Sequence, residues 1–435
     1  MAAEETDIVV FRTRLRPTNA QVALLYRNCA GSRFIYNYVL HMQKERHEVF
    51  RAAREKFLED NPGKKPKDFK PNDSEKPFSA YDLKKQIAII NKEEETSWLA
   101  ELDQDILQDS VINFGKTWRR FVEKIGGYPR FRNRDKHNSF SGNNSPRRQR
   151  ILGKRFKFRK IDTIKMFEEP KPKVSDEVQY LIDNGQIDLS RPTSYTVSRK
   201  ANKWWISIRW QVPKTIIPVR DGKSVGIDMG VAEWATTSDG EHLGKDKQVE
   251  KKLKQLLERR DFYQRQLARR PKQKGKDGKN FHGSNRVKTK KKLAKVSNKI
   301  AEIRRNYSHH SSKDLTTSYA KIALEKLNIQ NMTKSAKGTT EKPGKNVKQK
   351  AGLNRSILQQ NWYQLRSMLE YKMARSGGSI KNVDPKYTSQ MCSSCQHVNE
   401  KNRLSQSKFK CVKCGHEENA DLNAAKNIHR IAFGG

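Results

Sequence analysis

Across 435 residues, 90 lysines and arginines stand against 48 aspartates and glutamates, a formal charge of +42. So large an excess of one sign opposes compaction and attracts polyanions, which makes nucleic acid the expected partner and sets aside a protein indifferent to its ionic surroundings. The apolar runs are too short to span a bilayer and the opening Glu4, Glu5 and Asp7 do not suit a signal peptide, so no membrane partner is expected.

The length allows about three domains. A first strand is expected over Ile8–Leu15. Thr18 and Gln21 then have the spacing of a capping box, opening a helix that runs through Phe34, Ile35, Tyr38 and Val39. Cys29 falls on its apolar stripe with Val22, Leu25 and Tyr26, a packing position more than a nucleophile's. Residues 61–77, rich in Pro, Lys and Asp, are expected to form a solvated loop. Helix returns over Tyr81–Ile90 and where Leu107, Val111, Phe114, Trp118, Phe121 and Ile125 alternate in steps of four and three, until Gly126-Gly127 stops it.

From 128 to 219 the period becomes two. Trp204, Ile206, Ile208, Trp210 and Val212 share one face, and Trp205, Ser207, Arg209 and Gln211 the other. This predicts an antiparallel sheet, closed into a barrel by the N-terminal strand and interrupted by the helical region as an insertion. Trp205 and Arg209 are placed either to clamp a nucleic-acid strand or to pack across strands.

Beyond Pro218 the pattern turns α/β. Strands are expected at Ser224–Asp228, Trp234–Ser238 and Glu241–Leu243, followed by a hairpin of two basic helices carrying Leu253, Leu256, Leu257 and Leu267, then Leu293, Val296, Ile300 and Ile303. Such faces track phosphates or are merely solvated. A short helix, a strand over Lys321–Leu327, a basic loop from Lys334 to Gly352, a long helix Leu353–Ser376 and a strand Ser379–Val383 complete the order before the cysteines.

Cys392-Ser-Ser-Cys395, fifteen residues, then Cys411-Val-Lys-Cys414 has the spacing of a zinc ribbon: each pair turns a knuckle that aims two thiolates at one tetrahedral ion, so one structural Zn²⁺ is expected. With four of five cysteines so used, no disulfide framework is left, and a reducing, cytoplasmic location is expected, nucleoid-associated in a prokaryote.

Phosphodiester hydrolysis by two Mg²⁺ ions needs hard oxygen ligands. An RNase H-like sheet places one carboxylate on its first strand, one on a neighbouring parallel strand and one on a C-terminal helix, and Asp228, Glu325 and Asp421 fit these stations. Taken singly, a turn residue, a salt-bridged edge residue and a helix N-cap would explain them. Gly226 and Gly230 beside Asp228 are expected to admit a phosphate backbone, and Glu325 among Ile322, Ala323 and Leu324 buries a charge that requires a cation or partner.

GIDMG at 226–230, IALEKLNIQNM at 322–332, LNRSILQQNWYQLRSMLEYK at 353–372, TSQMCSSC at 388–395, CVKCG at 411–415 and DLNAAKNI at 421–428 resemble TnpB, the transposon-encoded RNA-guided nucleases related to compact type V CRISPR effectors. RLRPTNAQ at 14–21, SRFIYNYVL at 32–40 and GYPRFRNR at 127–134 resemble the same family. The resemblance implies a multidomain α/β plus β-barrel chain: a wedge-like β-barrel from 1–16 and 126–220, a helical recognition insertion at 17–125, an RNase H-like RuvC nuclease domain from 221–390 and 418–435, and a zinc ribbon at 391–417. Asp228, Glu325 and Asp421 match its catalytic, magnesium-binding acids, and Cys392, Cys395, Cys411 and Cys414 its zinc ligands. It also implies a guide RNA transcribed near the transposon end and cleavage of double-stranded DNA beside a short flanking motif. Asn419-Ala420 depart from the charged residues many members carry there. The alternatives are a guided DNA-binding protein that does not cut, for which loss of an acid is expected, a transposase or resolvase that reads DNA structure, and a basic structural protein of an RNA complex. A homodimer is left open.

Overall fold

The computed structural model describes residues 6–434 apart from 91–92, 135–136, 145–147, 173, 175, 215–219, 232, 245, 271–272, 275–279 and 282. The chain divides into two compact units, Met1–Thr215 and Ile216–Gly435.

In the first unit, β1 (Thr6–Arg16) buries Val9, Thr13 and Leu15 at alternate positions. It later pairs along almost its whole length with the strand Lys203–Pro213, from Thr6 opposite Pro213 to Leu15 opposite Trp204. The Thr18–Gln21 capping box forms as expected and opens α1 (Asn19–Asp60), one uninterrupted helix. Against it lie α2 (Ala80–Ile90) and α3 (Gln104–Val122), around Ile35, Val39, Leu107, Val111 and Phe114. The α3 helix ends earlier than the glycine pair. Lys124 adopts a left-handed φ of 58°, and Ile125 donates back to the Arg120 carbonyl, closing the helix in a Schellman turn and leaving Ile125 exposed. Cys29 is fully buried and its thiol is pushed up to about 12 by burial, which suits packing.

The sheet adds β2 (Ser139–Asn143), β3 (Ile151–Leu152), β4 (Arg155–Lys157), β5 (Thr163–Met166), β6 (Ser194–Lys200) and β7 (Lys203–Pro213), with a helix, α4 (Asp176–Asp183), in a stretch expected to be extended. Strand order is β2-β6-β7-β1-β5-β4-β3, antiparallel throughout. Among the described residues β2 and β3 share no ladder. The curl is held by side chains: Tyr195 on β6 meets Phe156 on β4 with ring centroids 5.0 Å apart.

In the second unit, β8 (Ser224–Asp228) and a short β9 (Thr236–Thr237) pair antiparallel. The strand expected at Glu241–Leu243 is reduced to one bridge, Thr236 to His242. The basic hairpin forms from α5 (Lys247–Ala268) and α6 (Ser284–Ser318), with β10 (Gln273–Lys274) and β11 (Asn280–Phe281) between them. Helix α6 continues to Ser318 and takes in the short helix expected before the next strand. After β12 (Lys321–Glu325) come α7 (Ile329–Met332), α8 (Val347–Gln360), α9 (Trp362–Arg375) and β13 (Ser379–Val383). The single long helix expected from Leu353 starts earlier and breaks at Asn361, whose φ of 63° is a conformation asparagine tolerates better than most residues. Trp234 Nε1 takes up the Gln360 carbonyl freed by the break. The chain ends with β14 (Lys408–Lys410), β15 (Glu417–Asn419) and α10 (Ala420–Phe433).

Sheet order here is β13-β12-β8-β9, with β12 parallel to both neighbours. Val225, Ile227, Ile322 and Leu324 pack with Leu315, Trp362, Leu365 and Leu369 from α6 and α9. The alternate residues Gly226, Asp228, Ala323 and Glu325 therefore take the opposite face, where Ala323 packs against Ile428 of α10. Among the described residues no helix is long and apolar enough to cross a membrane.

Candidate active site

Strand alternation brings the first two acids together. Ile227 stands opposite Leu324 in the parallel ladder, so Asp228 and Glu325 follow in step at the carboxyl ends of neighbouring strands, on one face. That face is covered by α10, whose first turn carries Asp421. Gly226 serves this packing instead of admitting a phosphate, since a Cβ there would lie 2.3 Å from the Ala425 carbonyl oxygen of α10, whereas one at Gly230 would lie 2.6 Å from that of Glu233. Ser224 Oγ and His429 Nε2, 2.7 Å apart, fix the helix to the start of β8.

Asp228 feels the charges of the other two acids. Burial, then the negative charges of Glu325 and Asp421, push Asp228 up to about 7. Glu325, 8% exposed, is raised by burial and held back by a hydrogen bond from Thr388 Oγ1 to its Oε1 at 2.5 Å. Asp421 is raised by burial, while Arg403, with Nη2 3.5 Å from its Oδ1, opposes the shift. Helix capping does not occupy Asp421, because Asn419 accepts from the Asp421 and Leu422 backbone N–H groups. The asparagine that departs from family pattern thus caps the helix and leaves the acid free to face the sheet.

Arg403 and Thr388 are the residues sequence reasoning missed. Arg403 lies between the two cysteine pairs with nothing local to mark it. Thr388 lies in the quoted TSQMCSSC stretch, and its hydroxyl also donates to the Pro385 carbonyl.

The four cysteines form a cluster that could hold a zinc ion, with all four sulfurs within 4.8 Å of one another. Cys392–Cys414 and Cys395–Cys411 sulfur separations are 3.7 and 3.5 Å, close to the edge of about 3.8 Å that Zn–S bonds of about 2.3 Å give a tetrahedron. Both knuckles are built alike: the Cys392 and Cys411 N–H groups donate to the His397 and His416 carbonyls, and the turn passes through a left-handed residue, Gln396 in one and Gly415 in the other. The ribbon's second strand, β15, extends to Asn419, two residues past the expected boundary at 417.

Trp205 is not open for stacking on both sides, since the Arg12 guanidinium lies 4.7 Å over its ring from the neighbouring strand, as cross-strand packing predicts.

Three family models match: "Helix-turn-helix domain" over residues 9–51, "Probable transposase" over 207–336 and "Cas12f1-like, TNB domain" over 362–428. The "Putative RNA-guided DNA endonuclease InsQ" of Escherichia coli K12 is 33% identical over 423 residues, covering 96% of this chain and 90% of that protein. The chain belongs to the TnpB family. A "CRISPR-associated endodeoxyribonuclease Cas12f1" of Sulfoacidibacillus thermotolerans is 28% identical over 251 residues, 56% of this chain and 54% of that protein. A cryo-EM structure of a Cas12f1–sgRNA–target DNA complex aligns with a TM-score of 0.48 at 14% identity, covering 98% of this chain and 99% of that one. In this family member the stretch matching the helix-turn-helix description folds as β1 and the first part of α1, with no second helix within it.

Proposed function

We propose that the chain is an RNA-guided DNA endonuclease that cuts double-stranded DNA beside a short flanking motif, with Asp228, Glu325 and Asp421 as its catalytic acids. The observation that carries this is the convergence of the three carboxylates on the α10 face of the β8/β12 sheet, where burial and then the charges of Glu325 and Asp421 raise Asp228 to about 7. Relatives named as RNA-guided and CRISPR-associated endonucleases support it.

The residues fit divalent metal. Their donors are oxygens only, and the burial and negative charge that raise Asp228 are what a hard cation relieves. Two Mg²⁺ ions, when bound, supply an activated water and neutralise charge developing on the phosphate. Asp228, Glu325 and Asp421 would hold them. Thr388 holds one oxygen of Glu325 and so fixes the direction of the carboxylate. Arg403 adds a cation beside Asp421, where it can meet a phosphate oxygen. The cysteine quartet holds a structural zinc, its four thiolates leaving no position for water or substrate.

In the first unit we assign the curled sheet as the wedge-like barrel and the α1–α3 region as the recognition insertion. A guide RNA transcribed near the transposon end selects the target by pairing, and the protein contacts supply backbone recognition. The enzyme should purify with tightly bound RNA. Asp228→Ala, Glu325→Ala and Asp421→Ala should each abolish cleavage and leave guide and target affinity within about threefold. Mg²⁺ or Mn²⁺ should support cutting, and Ca²⁺ binding without cutting. Wild-type cutting by any one alanine variant removes that residue from the site.

A further inference from the structure

At the end of β1, where the ladder with β7 closes at Leu15 opposite Trp204 and the chain turns through Pro17 into α1, the surface opens into a cavity of about 340 Å³. Its floor is apolar, formed by Leu15, Val22 and the buried Trp204. Its walls are cationic: Arg14 and Arg16 from β1, and Arg199 and Lys203 from the hairpin between β6 and β7. Among the described residues none of these four forms an ion pair with a carboxylate.

The arginines are held in place by aromatic rings. Arg14 and Arg16 lie 4.2 and 4.7 Å from the ring centre of Phe167, and Arg199 lies 5.3 Å over Tyr26 while donating to Asn202 Oδ1 at 2.8 Å. A guanidinium stacked in this way keeps its N–H fork for phosphate and a flat surface for a base, at little further entropic cost. Unpaired cations crowded round one hollow repel one another until an anion enters. The volume exceeds what a lone phosphate needs and falls at the lower end of the range of about 300–1,000 Å³ typical of ligand pockets. A base held in a duplex stack cannot enter such a hollow, whereas one on an unpaired strand can.

We propose that this cavity binds one nucleotide of an unpaired nucleic-acid strand, its phosphate between Arg14, Arg16, Arg199 and Lys203 and its base against the flat outer faces of the guanidiniums stacked on Phe167 and Tyr26. The assignment rests on the proposed nucleic-acid enzyme and adds a subsite remote in sequence from the acids.

The test uses the full chain with two single-stranded probes of equal length, oligo(U) carrying one 4-thiouridine and oligo(dT) carrying one 4-thiothymidine. Photo-crosslinks are mapped by mass spectrometry, and affinity is measured by anisotropy across a salt series. We expect a crosslink to the peptide holding Phe167 or Tyr26. Arg14→Gln with Arg199→Gln should abolish it, weaken binding at least tenfold and make the salt dependence shallower by about two ions. Arg14→Lys with Arg199→Lys, which keeps the charge but not the stacked fork, should recover the salt slope and only part of the crosslink. Crosslinking by the ribo probe assigns the subsite to RNA, and by the deoxy probe to DNA. Tight binding by the wild type with all crosslinks elsewhere, or unchanged affinity and slope in the glutamine variant, overturns the cavity assignment alone. Failure of the wild type to bind either probe overturns the nucleic-acid reading itself.

Discussion

Thr388 donates its hydroxyl to Glu325 at 2.5 Å from a site 2% exposed, so it decides which way a buried carboxylate points. Replacing it with valine keeps the shape and removes the hydrogen bond. Because second-shell partners set ligand orientation, Thr388→Val should weaken Mn²⁺ binding about tenfold, measured by calorimetry on nucleic-acid-free protein, and Thr388→Ser should restore it. Asp228 gives a pH prediction. In the metal-free protein its carboxyl is raised to about 7, first by burial and then by Glu325 and Asp421, while an unfolded aspartate titrates near 3.8. Between those values the folded chain holds a proton the unfolded chain has lost, so stability from this group is present at low pH and is lost as pH rises towards 7. Asp228→Asn should therefore flatten that decline and raise the metal-free melting temperature at about pH 8, an effect on the order of 2 kcal/mol, below the full shift because the neighbouring acids relax. A melting curve as steep in pH as the wild type's would remove Asp228 as the source. Gln396 occupies the left-handed position that Gly415 holds in the other knuckle. Gln396→Gly should raise the thermal midpoint of the zinc-loaded protein by relieving about 1 kcal/mol of backbone strain.

Among elements, the ribbon and the last helix act as one piece. Asn423 and Asn427, both fully buried, donate from α10 to the Met391 carbonyl, Asn427 donates also to that of Thr388, and the Ser393 N–H donates to Asn423. Losing the metal would thus loosen the chain that orients Glu325 and the helix that carries Asp421. Cys411→Ser should lose bound zinc, lower the melting temperature of the C-terminal unit and reduce cleavage together, because metal binding and folding are coupled there. Full zinc content and an unchanged melt in that variant contradict the assignment. Much of this was legible in the sequence. The cysteine spacing marks both knuckles, and the expected strands at Ser224–Asp228 and Lys321–Leu327 place Asp228 and Glu325 at neighbouring stations of one sheet. What was not legible depends on distant packing. Nothing near Arg403 marks its approach to Asp421, and the break at Asn361 is stabilised by Trp234, 127 residues earlier in the chain. The glycines beside Asp228 were legible as close approaches, but only the fold reveals that the backbone approaching Gly226 is α10 and the one approaching Gly230 is that of Glu233.

For the whole molecule, a charge of +42 explains strong attachment to nucleic acid but carries no sequence preference. The basic hairpin of α5 and α6 and the arginines on the outer face of the first sheet offer phosphate contacts, and the stretch matching a helix-turn-helix description contains one helix, leaving no recognition helix of that kind to read base edges. Selection of the target by a paired guide strand supplies the preference that charge alone cannot. The direct measurement is plasmid cleavage by the protein loaded with either of two RNAs that differ only in the guide segment, with RNA-free protein as the control and the flanking motif kept constant. Each RNA should direct double-strand cutting to its own target, and the RNA-free protein should cut neither. Cutting at one fixed sequence or at a branched junction, whatever guide is supplied, would contradict it.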